Sequence, residues 1–167
     1  QQLIALLRDG VAAHGSAAGP MATVVAQSLQ HWQEADLRAV AGYLLALPVE
    51  TPQAIDADPP AAGLTARGAK LYQQRCADCH GDRGQGRAGA YPPLAGNPTV
   101  LQPELHTLVQ LLQHGGFAPS TRGNPRPHGM GPQFLKDEDM AAVLTHIRTQ
   151  WGNDAGAVSA LAVLKAR

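Results

Sequence analysis

The stretch LTARGAKLYQQRCADCH, Leu64 to His80, decides how the rest of the chain is read. Its first part has the apolar spacing of a helix, with Thr65 as candidate N-cap and Leu71 and Tyr72 on an apolar stripe. Gly68 falls in the middle of that helix, where glycine costs about 1 kcal/mol against alanine. A glycine there points to the close approach of a second helix; a tolerated surface glycine is the alternative. The last five residues, Cys76-Ala77-Asp78-Cys79-His80, hold both cysteines of the chain. A C-x-x-C pair serves thiol–disulfide exchange when it follows a strand in a βαβ unit, and no such pattern is present. Half of a zinc site is the second reading, but no second pair exists and C-x-x-C-H offers only three ligands. The third is covalent attachment of c-type haem, in which both thiols form thioethers and the adjacent histidine lies beneath the iron. One covalent haem c, with its iron, is the expectation.

Downstream, GDRGQGRAGAYPPLAGNP is a Gly/Pro-rich loop without periodicity, too long for a simple connector. GAKLYQQRCADCH, YPPLAGNP, a later methionine and a closing amphipathic helix together resemble a class I cytochrome c. YPPLAGNPTV, LLQHGG and MGPQFLKDEDMAAVLTHIRTQWGN narrow the resemblance, over residues 62 to 160, to the multihaem cytochrome subunit of membrane-bound quinoprotein alcohol and aldehyde dehydrogenases. The resemblance implies an all-α fold for residues 63–167, with Cys76 and Cys79 bonded to the haem and His80 on the iron. It implies that Tyr91, Pro92, Leu94, Asn97 and Phe134 line the haem. It also makes the Pro92 carbonyl the acceptor of the His80 ring N–H, which fixes the tautomer and raises the ligand's basicity.

Three methionines can be weighed for the sixth coordination position. Met140 shares a helical stripe with Val143, Leu144 and Ile147 and reads as core. Met130 lies in PRPHGMGPQF, a Gly/Pro loop where a thioether ligand makes sense, and the resemblance puts the axial methionine there too. His128 is its rival; His106 and His114 lie on or at the end of a helix and are expected to be exposed. A thioether opposite imidazole raises the reduction potential and leaves no open position for oxygen chemistry. The chain is therefore expected to carry electrons and to make no bonds. An open sixth position would instead mean a haem enzyme or a gas sensor.

Composition agrees. Basic and acidic residues balance at 13 each, which gives no sign of a nucleic-acid or anionic-membrane partner. No apolar run approaches the ~20 residues of a membrane span. Aromatics are only 4% of the chain, so a haem would supply core volume that large side chains do not.

The first fifty residues echo the later ones. QQLIALLRDG answers HTLVQLLQHG, aligning Leu3, Leu6, Leu7 and Gly10 with Leu108, Leu111, Leu112 and Gly115. AAGPM, ending at Met21, parallels RPHGM, ending at Met130; HWQEADLRAVAGYLLALP parallels KDEDMAAVLTHIRTQW. A repeat of this kind indicates a repeated domain. Residues 1–48 accordingly read as the C-terminal half of a preceding haem domain, as helices near 1–9 and 34–46 with Met21 in the loop between. The alternative is an ordinary helical cap with Met21 in its core. Residues 49–62, rich in proline, read as a linker. The apolar stripes of the half-domain need cover: either the haem domain of the same chain or the same segment of a second copy, and the second copy is the expected one. The resemblance further implies a periplasmic location, with a quinoprotein dehydrogenase or a terminal acceptor as redox partner and partner subunits as the link to the inner membrane.

Overall fold

The computed structural model describes residues 1–48 and 63–167; the expected linker lies outside the described residues. Helices dominate, and the described strands are four of two residues each. The described residues fall into two compact units: 1–48 with 116–130, and 63–115 with 131–167.

In the first unit, α1 (Gln2–Asp9) stops at Gly10, whose left-handed φ of 75° lets its N–H close on the Leu6 carbonyl at 3.0 Å. An antiparallel pair follows, β1 (Val11–Ala12) with β2 (Gly15–Ser16). Then come α2 (Pro20–Gln27), a 3-10 turn over Leu29–His31, and α3 (Glu34–Ala46). Leu7, Ala17, Val25, Leu29, Leu37 and Ala41 form its core, with Leu3, Ile4 and Val40 packed against them. The expected helices at 1–9 and 34–46 are present. Met21, however, is not in a loop: it sits in the first turn of α2, half-exposed. Proline at the first helical position, with its φ already set for a helix, starts α2 there. Val25 and Leu29 then cover part of the stripes that were expected to need an outside partner.

The rest of this unit is the loop closed by β3 (Gly116–Phe117) and β4 (Gly129–Met130), paired with Gly116 opposite Met130. Thr121, buried in that loop, donates its hydroxyl to the Asp9 carbonyl at 2.9 Å.

The second unit is built on a helix crossing. Here α4 (Leu64–Arg75) packs on α8 (Asp137–Thr149). Gly63, at φ 87°, is the N-cap of α4, two residues before the expected Thr65. A Cβ on Gly68 would lie 2.1 Å from the Ala142 carbonyl oxygen and 3.0 Å from the His146 Cβ. The glycine therefore marks a close approach, and Ala142 and His146 meet it. Met140, Val143, Leu144 and Ile147 are all buried, each worth roughly 1.5–3 kcal/mol of removed apolar surface.

Between the crossing helices run α5 (Ala77–His80), α6 (Pro98–Leu101) and α7 (His106–His114). A last helix, α9 (Ala160–Lys165), packs on α8 and was not foreseen; Ser159 caps it by accepting from the Ala162 N–H at 3.1 Å. The sequence echo persists locally: α1 and α7 both end at glycine before a short strand, and α3 and α8 are both 13 residues long. Yet the residue paired as Met130 is paired is Ser16, not Met21.

Candidate haem-binding site

Cys76 closes α4 and opens α5, and its carbonyl accepts from the N–H groups of Cys79 at 3.2 Å and His80 at 2.8 Å. One helical turn thus puts Cys76, Cys79 and His80 at i, i+3 and i+4, on one face. All three are half-buried, and both thiols are free. Burial, the largest influence, pushes the Cys76 thiol up to about 11. A thiol held protonated is a poor partner for disulfide exchange, which proceeds through the thiolate. Among the described residues, no group of three or more His, Cys, Asp and Glu side chains could hold a metal ion.

The histidine is oriented from the loop that follows. Its Nδ1 lies 3.0 Å from the Pro92 carbonyl oxygen. Because a carbonyl only accepts, Nδ1 carries the hydrogen and Nε2 keeps its lone pair. Burial lowers the His80 pKa, against the smaller upward pull of the bond to Pro92, which favours this neutral form. A neutral imidazole with one nitrogen tied to a carbonyl and the other bare is the form that ligates iron. Two adjacent thiols and such an imidazole match what haem c requires of a protein.

The 81–97 loop is tightly knit. The Gly86 N–H donates to the His80 carbonyl at 2.7 Å, and the Leu94 and Ala95 N–H groups donate to Gly84 at 2.7 and 3.0 Å. Gly86, at φ 69°, lies so close to this backbone that a Cβ would sit 2.6 Å from the Tyr91 carbonyl oxygen. No other residue type fits there without displacing the segment that presents Pro92. The Tyr91 ring stands 6.3 Å from the His80 ring, and its phenol, bonded to the Cys79 thiol, is held above its ordinary pKa. Asn97 is buried; it accepts from the Thr99 N–H at 3.0 Å and donates to Pro93 at 2.8 Å, capping α6 while holding the loop. Leu94 is half-buried.

So the structure gathers Cys76, Cys79, His80, Tyr91, Pro92, Leu94 and Asn97 around one loop. Phe134 stands apart in character, 87% exposed. Met130 is half-buried in β4, and His128, His106 and His114 are exposed.

The sequence reading missed one side chain of this region, Asn153. Its amide donates to the carbonyls of Leu94 (3.0 Å) and Ile147 (2.7 Å), and its oxygen accepts from the Gly96 N–H (2.8 Å). Nothing in the surrounding sequence marks it, because an asparagine after Trp-Gly reads as an ordinary turn residue.

The sequence model of the family described as cytochrome c matches residues 65–151. The chain is 37% identical, over 178 aligned positions, to the "Alcohol dehydrogenase (quinone), cytochrome c subunit" of Gluconobacter oxydans (strain 621H), covering 99% of this chain and 37% of that protein. It is 32% identical over 193 positions to the "Fructose dehydrogenase cytochrome subunit" of Gluconobacter japonicus, covering 100% of this chain and 40% of that one. Cytochrome c-552 of Thermus thermophilus is 43% identical over 93 positions, which cover 53% of this chain and 70% of that protein. The chain thus spans well under half the length of the dehydrogenase subunits it matches.

Proposed function

Because the chain belongs to the cytochrome c family, and so carries electrons on covalently bound haem c, we propose that it holds one such haem, on Cys76 and Cys79, with His80 and Met130 as axial ligands. The observation that carries this reading is the His80–Pro92 contact, which occupies Nδ1 and leaves Nε2 as the ligating nitrogen on the helical turn that also holds Cys76 and Cys79. Haem c supplies a one-electron couple; the rest is done by the chain. Cys76 and Cys79 would fix the position of the group, so that no binding equilibrium competes with electron transfer. His80, held by Pro92, would keep one orientation and one tautomer in both oxidation states. Met130, a soft thioether, would favour the reduced state and close the sixth position. Tyr91, Leu94 and Asn97 would line the group, with Phe134 added on the resemblance.

The larger setting is proposed on the relatives. The dehydrogenase subunits align along nearly all of this chain, whereas the family model begins at residue 65. That difference supports reading residues 1–48 as the C-terminal half of a preceding domain, in the cytochrome subunit of a periplasmic dehydrogenase. The partner would be a quinoprotein dehydrogenase on one side and a terminal acceptor on the other, with the inner membrane reached through partner subunits. Among the described residues, no helix is long and apolar enough to cross a membrane.

The optical spectrum of the oxidised holoprotein, with a haem count per chain, tests the core of this proposal. One haem and the weak far-red band of iron–thioether ligation are expected. A spectrum without that band, combined with ready carbon monoxide binding in the reduced protein, would overturn the Met130 assignment in favour of a haem enzyme or gas sensor.

A further inference from the structure

We infer that Asn153 is a positioning residue for the axial histidine. Through the 94–96 loop it holds the Pro92 carbonyl on His80 Nδ1, and so helps set the reduction potential. This rests on His80 being the proximal ligand.

Three observations converge. First, the Asn153 side chain is 5% exposed and uses both amide hydrogens and its oxygen: toward Leu94, toward Gly96 and toward the Ile147 carbonyl near the end of α8. It thereby ties the end of α8, a largely buried helix, to the loop that starts at Pro92. Second, that loop has no helix or ladder of its own between Pro92 and Gly96; its other anchors are the N–H groups of Leu94 and Ala95 on Gly84 and the Asn97 side chain on Pro93. Loss of the Asn153 bonds would leave the Gly96 N–H unheld and Leu94 tied to Gly84 through its own N–H alone. Pro92 lies two residues from Leu94, and a small displacement there is enough to lengthen a 3.0 Å hydrogen bond. Third, the turn that delivers Asn153 is strained. Trp151 sits at φ 56°, the one positive-φ non-glycine among the described residues. A bulky residue in that region costs on the order of 1–3 kcal/mol and persists only where its surroundings hold it. They do: its ring packs 4.9 Å from the Tyr72 ring and 5.2 Å from that of His146, and it lies over Gly84, which anchors the same loop.

The direction of the effect follows from the chemistry. A hydrogen bond from Nδ1 to a carbonyl raises the basicity of the ligating nitrogen, and a more basic ligand favours ferric over ferrous iron. Loosening the bond must raise the potential.

The test uses the haem-loaded protein and three variants. Asn153→Ala removes all three contacts; Asn153→Asp keeps the volume and the acceptor for Gly96 but removes both donated bonds. Val163→Ala, at a fully buried position on α9, serves as a control that lowers stability without touching the loop. Redox titration and exchange of the His80 Nδ1 proton, followed by NMR in the ferrous state, are the readouts. Both Asn153 variants should show several-fold faster exchange, and Asn153→Ala, which adds no charge, a raised potential as well, while Val163→Ala melts lower with neither change. Unchanged potential in Asn153→Ala together with unchanged exchange in both Asn153 variants would overturn the positioning role, and so would an equal shift in Val163→Ala. If the parent protein shows no His80 ring signals displaced by the iron, the proximal-ligand reading itself fails, an outcome distinct from either of these.

Discussion

The Tyr72 hydroxyl donates a 2.6 Å hydrogen bond to the carbonyl of Gly81, the residue that follows His80. Tyr72 is wholly buried, and burial pushes its pKa up to about 12 from an ordinary 10.0. A folded-state value above the unfolded one means stability that is intact below pH 10 and drains away as pH rises towards 12. Tyr72→Phe should therefore cost about 1 kcal/mol at neutral pH, by losing one hydrogen bond. It should also flatten the alkaline fall in stability seen in the parent. Denaturant melts across pH 8–12 check both; an alkaline fall as steep in Tyr72→Phe as in the parent would count against the assignment.

At the α4–α8 crossing two effects oppose each other. Gly68→Ala gains about 1 kcal/mol of helix propensity. Its new Cβ would sit 2.1 Å from a backbone oxygen that no rotamer can move, and overpacking of that kind costs about 3 kcal/mol. Net destabilisation near 2 kcal/mol is expected by thermal or urea unfolding. A variant more stable than the parent would mean that Gly68 faces solvent.

His146 introduces acid sensitivity into the same crossing. Its Nδ1 is buried without a hydrogen-bond partner, its ring lies 5.4 Å from that of Tyr72, and burial lowers its pKa below the ordinary 6.5. With the folded value depressed, its contribution is whole above pH 6.5 and is lost as pH falls through the folded value. His146→Phe should retain the ring packing and show a shallower loss of stability between pH 6.5 and 4.5 than the parent. Parallel pH profiles would show that the acid limb originates elsewhere.

Arg148 is 1% exposed, yet its guanidinium meets only carbonyls: Val100 at 2.7 Å, Gln102 at 2.6 Å, Gly156 at 3.4 Å, and Ala155. Burial lowers its pKa, but the group stays charged, and the carbonyl dipoles offset its lost hydration. Arg148→Met leaves those carbonyls unpaired and should cost on the order of 3–5 kcal/mol. Arg148→Lys should recover little, because one ammonium cannot span two sides of a planar fork. Calorimetry of the two variants decides; a lysine variant matching the parent would refute the clamp.

Some apolar surface of the N-terminal helices remains open. Met21, Val24, Tyr43, Leu44 and Leu45 are each more than 40% exposed. A second copy of the chain is the proposed cover, so the protein should sediment as a dimer at micromolar concentration, and Leu45→Glu should shift it to monomer. A parent that is already monomeric at that concentration removes the idea.

Much of this was legible in one dimension, for identifiable reasons. Strong 3.6-residue patterns place α1, α3, α4 and α8 nearly where they lie, and Gly68 in mid-helix announces its neighbour. Cys76, Cys79 and His80 are adjacent in sequence, so one helical turn suffices to assemble them. What was missed depends on distance along the chain. Arg148, in the last turn of a helix, reads as a solvated cation complementing the dipole; only the path of residues 100–102 and 155–156 makes it a buried clamp. Asn153 takes its meaning from Leu94 and Gly96, more than fifty positions away. Helix α2 was hidden by Gly19-Pro20, which reads as a breaker but serves as a start.

The crossing at Gly68 also orders events in time. A chain emerging amino-terminus first exposes Cys76, Cys79 and His80 well before α8, which begins only at residue 137. Until α8 arrives, α4 has no partner to lock against, and an isolated helix of 12 residues is marginal in water. On the proposed reading, the attachment segment would thus stay open as a pliant peptide while haem is added, and closure around the thioethers would wait for the last fifth of the chain. Tightening that crossing too early would shut the door on the ligand that the domain exists to hold.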